Sequence, residues 1–419
     1  MLTFITIILS CSKERSNGQT NVDIQPNRLS HVRTIEEAKE LAISAMAMLD
    51  TETKVSSRTI VSSQAVVNTV TKGSEEETDT LFYVFNFDGD AGFSIINADL
   101  QEDPFICITE SGNYTDGIPT GVDPFDAYII QLKQKLQDLS RTRGEPVDPP
   151  TPIDTTGLYS YIVNRYDGSY MNPLINTKWG KDGIYGAYCP NGAAGCVARA
   201  IGQIMVYHGH PSSITLGQQT GPYVSGTTLL MHWYFIEQHI LNHTGTQTCS
   251  SYHTEISALL YDISETVDMT YFNNGTSGAS ASMIQPGLLH YGYYLDPLTT
   301  AVVDDIVASI DAYRPVILTG QTAGGDGHAW IADGYKDYVL YQDTYAQAYP
   351  APGYYLVNSV QIDERHALHF NWGWDGECNG YFNFGIYNSG NPDSYDGSTN
   401  TYNEIYTTVK MHTNIRKNI

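Results

Sequence analysis

A breaker-rich stretch, Ser140-Arg-Thr-Arg-Gly-Glu-Pro-Val-Asp-Pro-Pro-Thr-Pro-Ile-Asp-Thr-Thr-Gly157, constrains this 419-residue chain more than any other feature. Clustered proline fixes φ and removes backbone donors, so the segment stays extended and exposed and no core runs through it. The chain length exceeds what one ordinary core fills, which fits a division into separate units. The expected division is residues 31–140, a linker over 141–157, and one long domain over 158–419. Arg141 and Arg143 open the exposed segment and mark it for proteolytic cleavage.

The first unit reads as a small α+β fold. Thr34 and Glu37 stand at capping-box spacing ahead of Ile35, Ala38, Leu41, Ala42, Ala45 and Leu49, which share a helical face. Leu81–Phe87 and Gly92–Ile96 read as strands, with Asp88-Gly89 between them as a hairpin signal. A second helix is expected from Pro124 to Leu139, with Phe125, Tyr128, Ile129, Leu132 and Leu136 on one face. No nucleophile and base pair up within this unit.

Ahead of it, Met1–Ser10 is an apolar run well short of the roughly 20 residues a membrane helix needs, so it reads as a secretory signal. Ile8-Leu9-Ser10-Cys11 resembles a bacterial lipoprotein signal, which implies lipidation of Cys11 after cleavage and membrane attachment through it. The alternative is an ordinary signal peptide with Cys11 a bystander. Residues 11–30 are polar and patternless, as a tether would be. The expected location is secreted, or on the surface or outer membrane of a bacterium.

Charge narrows the partners. With 46 acidic against 22 basic residues the formal net charge is -24, which argues against nucleic acid and anionic membrane surfaces as ligands. The six cysteines are scattered and form no Cys-x-x-Cys pair, and no His-Glu-x-x-His occurs, so neither a disulfide scaffold nor a metal is expected. No cofactor motif is present. His208 and His210 are read as capping the carbonyls at a helix end.

In the long domain, Cys189 to Pro211 carries the first chemical signal. Val197, Ala200, Ile201, Ile204 and Met205 recur on one helical face, Gly192 and Gly195 form the entering loop, and Pro211 closes the run. Cys196 then sits in the first helical turn, where free N–H groups and the helix dipole favour an anionic sulfur. Read alone, such a cysteine is more often a small core residue. A further helix is expected over Thr254–Thr266, and strands over Pro315–Thr319, His328–Ala332, Tyr338–Tyr341 and Ala367–Asn371. A helical first half and a sheet-rich second half describe two lobes with a cleft between them.

Two distal segments supply partners for Cys196. The loop Gly320–Gly327 delivers His328 to the first position of a strand, and Asn371-Trp372-Gly373-Trp374-Asp375-Gly376 ends another. Cysteine, histidine and asparagine in this chain order suit acyl transfer. A thiolate attacks the carbonyl, an imidazolium protonates the leaving amine, and an amide holds the imidazole in one tautomer.

These residues resemble the streptopain family of papain-like cysteine peptidases. The motifs are Gly195-Cys196-Val-Ala with Gln203-Ile-Met and Tyr207-His208, Gly327-His328-Ala with Asp333-Gly334, and Asn371-Trp372-Gly373-Trp374 with Gly376. The resemblance implies Cys196 as nucleophile, His328 as general base and acid, and Asn371 as the residue orienting His328. It implies that Trp372 shields the His–Asn bond, and that the Cys196 N–H is one oxyanion donor. Gln321 would contact substrate or oxyanion, and Gly278 and Ala279 would line the substrate groove. Three departures from the family pattern stand out: Lys181 after Trp179-Gly180, Arg199 in place of a small residue, and Asp375 in place of glycine. Asp375 is expected to be solvated.

The reading is an α+β fold: a papain-like two-lobed peptidase, helical lobe plus antiparallel sheet lobe, preceded by a small α+β prodomain. It acts as a cysteine endopeptidase on polypeptide substrates, made as a zymogen whose prodomain is its own intramolecular inhibitor. The alternative is a catalytically silent binding protein that keeps the fold on the cell surface.

Overall fold

A computed structural model describes residues 31–50, 58–72, 75–142, 158–166, 169–241, 251–322, 327–347, 354–386 and 406–418. The apolar leader, Cys11, the tether and the proline-rich segment from residue 143 lie outside the described residues.

Helix α1 (Ile35–Ala45) begins as its sequence dictates: the Thr34 hydroxyl accepts from the Glu37 N–H, and the Glu37 carboxylate accepts from the Thr34 N–H at 2.8 Å. Ala38, Ala42 and Ala45 are buried on its inner face. Strands β1 (Ile60–Lys72), β2 (Glu75–Phe87), β3 (Phe93–Asn97) and β4 (Phe105–Thr109) follow as an antiparallel meander. Helix α2 (Asp123–Thr142) runs three residues past the expected end at Leu139. The Phe125 ring meets Phe93 edge-on at 5.4 Å and Phe382 at 6.3 Å.

The second unit comprises β5 (Leu158–Arg165), α3 (Cys196–His208), α4 (Ser251–Thr266), α5 (Val303–Asp311), β6 (Val316–Thr322), β7 (Gly327–Gln347), β8 (Tyr354–Asn371), β9 (Gly380–Asn383) and β10 (Tyr406–His412), with shorter pieces between. The two expected runs at 328–332 and 338–341 are one strand, β7. Its register shifts between Ala332 and Gly334, and this bulge bends the strand without breaking it.

The units share one sheet, in the order β1-β2-β3-β4-β9-β8-β7-β6-β10. The junction is the antiparallel pairing of β4 with β9, Thr109 opposite Gly380 and Cys107 opposite Phe382. Glycine is required there, because a Cβ on Gly380 would sit 2.2 Å from the Ile108 carbonyl oxygen. The first unit therefore packs as an extension of the second unit's sheet.

Each face of that sheet has its own core. Ile317, Ala329 and Ile331 point into the helical lobe with Val197, Ile201 and Leu260. Leu318, Trp330 and Ala332 point the other way, with Phe370, Phe382 and the α2 residues Phe125 and Leu132. Helix α3 ends at Gly209, whose left-handed conformation (φ 57°) stops it before Pro211. His208 does not cap this helix; its Nε2 meets the Ile415 carbonyl at 3.2 Å.

Gly202 shows how tightly α3 is packed: a Cβ there would lie 2.5 Å from the Trp179 ring and 3.1 Å from Leu260. Gly202→Ala is expected to lower stability by about 1–3 kcal/mol through overpacking. That outweighs the roughly 1 kcal/mol by which alanine favours a helix. Thermal unfolding of the variant checks this, and an unchanged or raised melting temperature would show that Trp179 gives way freely.

Candidate active site

Cys196 is the first residue of α3, with Gly195 as N-cap and partial exposure of its side chain. The loop before it is braced from two sides. The Ala194 N–H donates to the Lys181 carbonyl at 2.9 Å, and the Asn191 amide donates to the Thr276 carbonyl at 2.8 Å. The Ser277 hydroxyl donates to the Ala193 carbonyl at 3.1 Å, and Gly278 pairs with Thr270 in the same short hairpin. Gly278 and Ala279 thus stand beside the loop that presents Cys196. Gly195 lacks a Cβ because Met269 fills that space at 2.5 Å.

Asn371, the last residue of β8, lies opposite Ile331 and so faces α3. Its amide donates to the Thr177 carbonyl at 2.9 Å and to Gln203 Oε1 at 3.4 Å, while its own oxygen accepts from the Gly373 N–H at 3.1 Å. Cys196, Arg199, Gln203, Trp330, Asn371 and Trp372 line one crevice between α3 and the sheet. Gln321 lies opposite Gly327, two residues along β6 from Thr319 and on the α3 side with Ile317, and is exposed.

His328 is placed differently. It pairs with Gly320 at the start of β7 and shares the Trp330 face, stacked parallel to that indole at 6.2 Å. Its Nε2 lies 3.1 Å from the Trp372 carbonyl, and a carbonyl only accepts, so Nε2 carries the proton and Nδ1 the lone pair. Burial pushes the imidazole pKa down to about 3, the nearby Arg199 charge adds to this, and the Trp372 bond opposes both. The ring is therefore neutral at ordinary pH.

The expected direct bond between Asn371 and His328 is replaced by this bond to the Trp372 carbonyl. The Trp372 ring does not cover a His–Asn contact either. It is fully buried among Phe370, Phe382 and Trp330, and its Nε1–H donates to the Cys378 carbonyl at 2.9 Å. The indole that covers His328 is that of Trp374, edge-on at 4.8 Å. Asp375 is exposed as expected, with a left-handed backbone (φ 52°), and its carboxylate occupies the space a Cβ on Gly180 would need.

Two features have roles that the sequence reading did not assign. Gln203 is 1% exposed, and its Oε1 accepts from the Thr177 hydroxyl and the Trp179 N–H at 3.2 Å each, tying α3 to the strand that brings Asn371. A glutamine on the inner face of an apolar helix was the available signal. The second is a charge network that joins the two units, buried at His369 and Asp333 and opening to solvent through Glu110 and Lys178. Among the described residues, no group of three or more His, Cys, Asp or Glu is placed to hold a metal ion.

Residues 179–382 match the model of the peptidase C10 family. Streptopain of Streptococcus pyogenes is 25% identical over 327 residues, covering 72% of this chain and 73% of its own. A thiol protease/hemagglutinin of Porphyromonas gingivalis is 24% identical over 380 residues, covering 82% of this chain and 38% of its own. A solved fragment of Prevotella intermedia prointerpain A superposes with a TM-score of 0.48 at 18% identity, covering 84% of this chain and 98% of that one. Residues 179–382 are thus similar to the peptidase C10 family, and the protein is a cysteine peptidase.

Proposed function

We propose that this protein is an endopeptidase made as a zymogen, in which Cys196 attacks the peptide carbonyl, His328 transfers the proton, and the Cys196 N–H at the start of α3 receives the oxyanion. The observation that carries this is the position of Cys196: the first residue of α3, partly exposed, at the mouth of a crevice shared with Asn371. Asn371 acts on His328 through the backbone, because its oxygen accepts from the Gly373 N–H and so holds the peptide that follows the Trp372 carbonyl. Gln321, Gly278 and Ala279 border the path of the substrate.

The latent state is read from the sheet. Cys196, Asn371 and Gln321 lie on the α3 side, whereas the imidazole lies on the Trp330 side, where the first unit's α2 covers the same core. Residues 31–140 then serve as inhibitory prodomain, and cleavage in the linker over 141–157 releases it. Export, with Cys11 as lipid anchor, fits the apolar leader.

Thiol chemistry tests the assignment. Cys107 and Cys189 are buried and their thiols are pushed upward by burial, and that of Cys378 is pushed up to about 12. Iodoacetamide at neutral pH should therefore modify Cys196 ahead of these three, and peptide hydrolysis should fall in step with that one adduct. Loss of activity tracking a different cysteine by mass mapping would reject Cys196 as nucleophile.

A further inference from the structure

Arg199 is one turn beyond Cys196 on α3, on the same helical face, and is 3% exposed. A buried guanidinium is costly unless its donors and charge are met. Here Nη1 donates to the Gly373 carbonyl at 2.5 Å and the guanidinium carbon stands 4.6 Å over the Trp374 ring, while Nε has no hydrogen-bond partner. Both contacts fall on the turn over residues 372–375. That turn also supplies what holds His328: the Trp372 carbonyl at 3.1 Å and the Trp374 ring at 4.8 Å.

We propose that Arg199 is a positioning residue for His328, tying the 372–375 turn to α3 and so fixing the carbonyl and the indole that seat the imidazole. The proposal rests on the acid–base role of His328 given above. A guanidinium suits the task because its planar fork can donate to a carbonyl while its face lies on an indole, which an ammonium does less well. The arrangement belongs to this chain's two departures taken together. Arg199 supplies the cation, and Asp375 supplies a carboxylate on the turn that the cation holds.

The charges around this centre define its electrostatics. Arg199 is faced by Cys196 from its own helix, Asp375 from the turn, Asp182 from the loop after Trp179, and Asp123 from the N-terminus of α2. Burial nonetheless lowers the guanidinium pKa from its usual value. His328 is faced by Arg199 and by the neutral groups Trp372, Trp330 and Trp374. Loss of the cation should therefore let the imidazole protonate more easily, and loss of the fork should let the turn move.

Two substitutions separate charge from geometry. In the full chain carrying Cys196→Ala, with histidine rings labelled for NMR and His328 assigned by its loss in His328→Gln, Arg199→Met should raise the pH at which His328 protonates by about one unit. Arg199→Lys should leave it near the parent. In the full chain with Cys196 intact, both variants should release the first unit by self-cleavage about 10-fold faster, because the seated imidazole lies on the Trp330 side and must leave it to reach Cys196. An unmoved His328 resonance in folded Arg199→Met, or a parent rate of self-cleavage in both folded variants, overturns the proposal. His328→Ala with full peptidase activity would instead sink the acid–base role, while the NMR comparison still reports on Arg199.

Discussion

Cys196→Ala is expected to lower peptide hydrolysis by on the order of 10^4-fold or more, since removing a covalent nucleophile leaves only binding and oxyanion contacts. The same variant should accumulate as an unprocessed chain, with no cut between residues 140 and 158, if the prodomain is released by the enzyme itself. Folding should survive. The side chain is partly exposed and has no hydrogen-bond partner that the helix needs, because Gly195 rather than Cys196 is the N-cap. Steady-state hydrolysis and electrophoresis of the expressed chain measure the two effects separately. Parent-level hydrolysis would remove Cys196 from the mechanism. Lost hydrolysis with normal processing would show that another peptidase performs the activation.

Much of the framework was legible because local physics sets it. The apolar face of α3, the capping box at Thr34 and the stripe on α2 each follow from periodicity within one element, and each forms as read. Strand β1 was missed because Ser62, Ser63, Gln64 and Thr69 give it little apolar alternation, and it forms through pairing with β2. The continuation of the sheet from β4 into β9 is a long-range register, which no local pattern encodes. At the candidate site, residue types and the glycines around them singled out Cys196, His328 and Asn371 as candidates. The face on which His328 lies depends on strand parity within β7, and the role of Arg199 depends on a turn far away in sequence.

On the zymogen reading proposed above, the same parity would let chemistry and latency coexist. A residue near the end of a strand can change faces with less backbone movement than one in its middle, because a short stretch of ladder holds it. His328 is the second residue of β7, after Gly327 and the loop over 323–326 that lies outside the described residues. Its neighbour Ala329 is already packed in the helical lobe, so the strand beyond it need not move.

Asp333→Ala is expected to destabilise the chain by about 3–5 kcal/mol, because it strips the carboxylate from a buried cation. Asp333 is fully buried and His369 is 3% exposed, with Nδ1 to carboxylate at 2.6 Å. The other Asp333 oxygen accepts from the Ile175 N–H at 2.9 Å, so that donor would be orphaned too. On the far side, His369 Nε2 lies 3.4 Å from Glu110, close enough to pair but not aligned as a hydrogen bond, and Glu110 also pairs with Lys178 at 2.8 Å. Burial alone would lower the His369 pKa, but Asp333 and Glu110 override it and lift it from 6.5 to about 9. Glu110 shifts the opposite way, below the usual carboxylate range: burial would raise it, and His369 and Lys178 outweigh that. A raised histidine stabilises the fold fully below its unfolded value of 6.5 and loses that contribution as pH climbs through about 9. Urea unfolding of the Cys196→Ala chain should therefore show stability falling by about 3 kcal/mol from this group between neutral and strongly alkaline pH. In the Asp333→Ala background the penalty should be largest near neutrality and shrink as pH rises, because the parent then loses the same pair. A penalty independent of pH would mean that Asp333 acts through the Ile175 bond and its packing, with His369 neutral throughout.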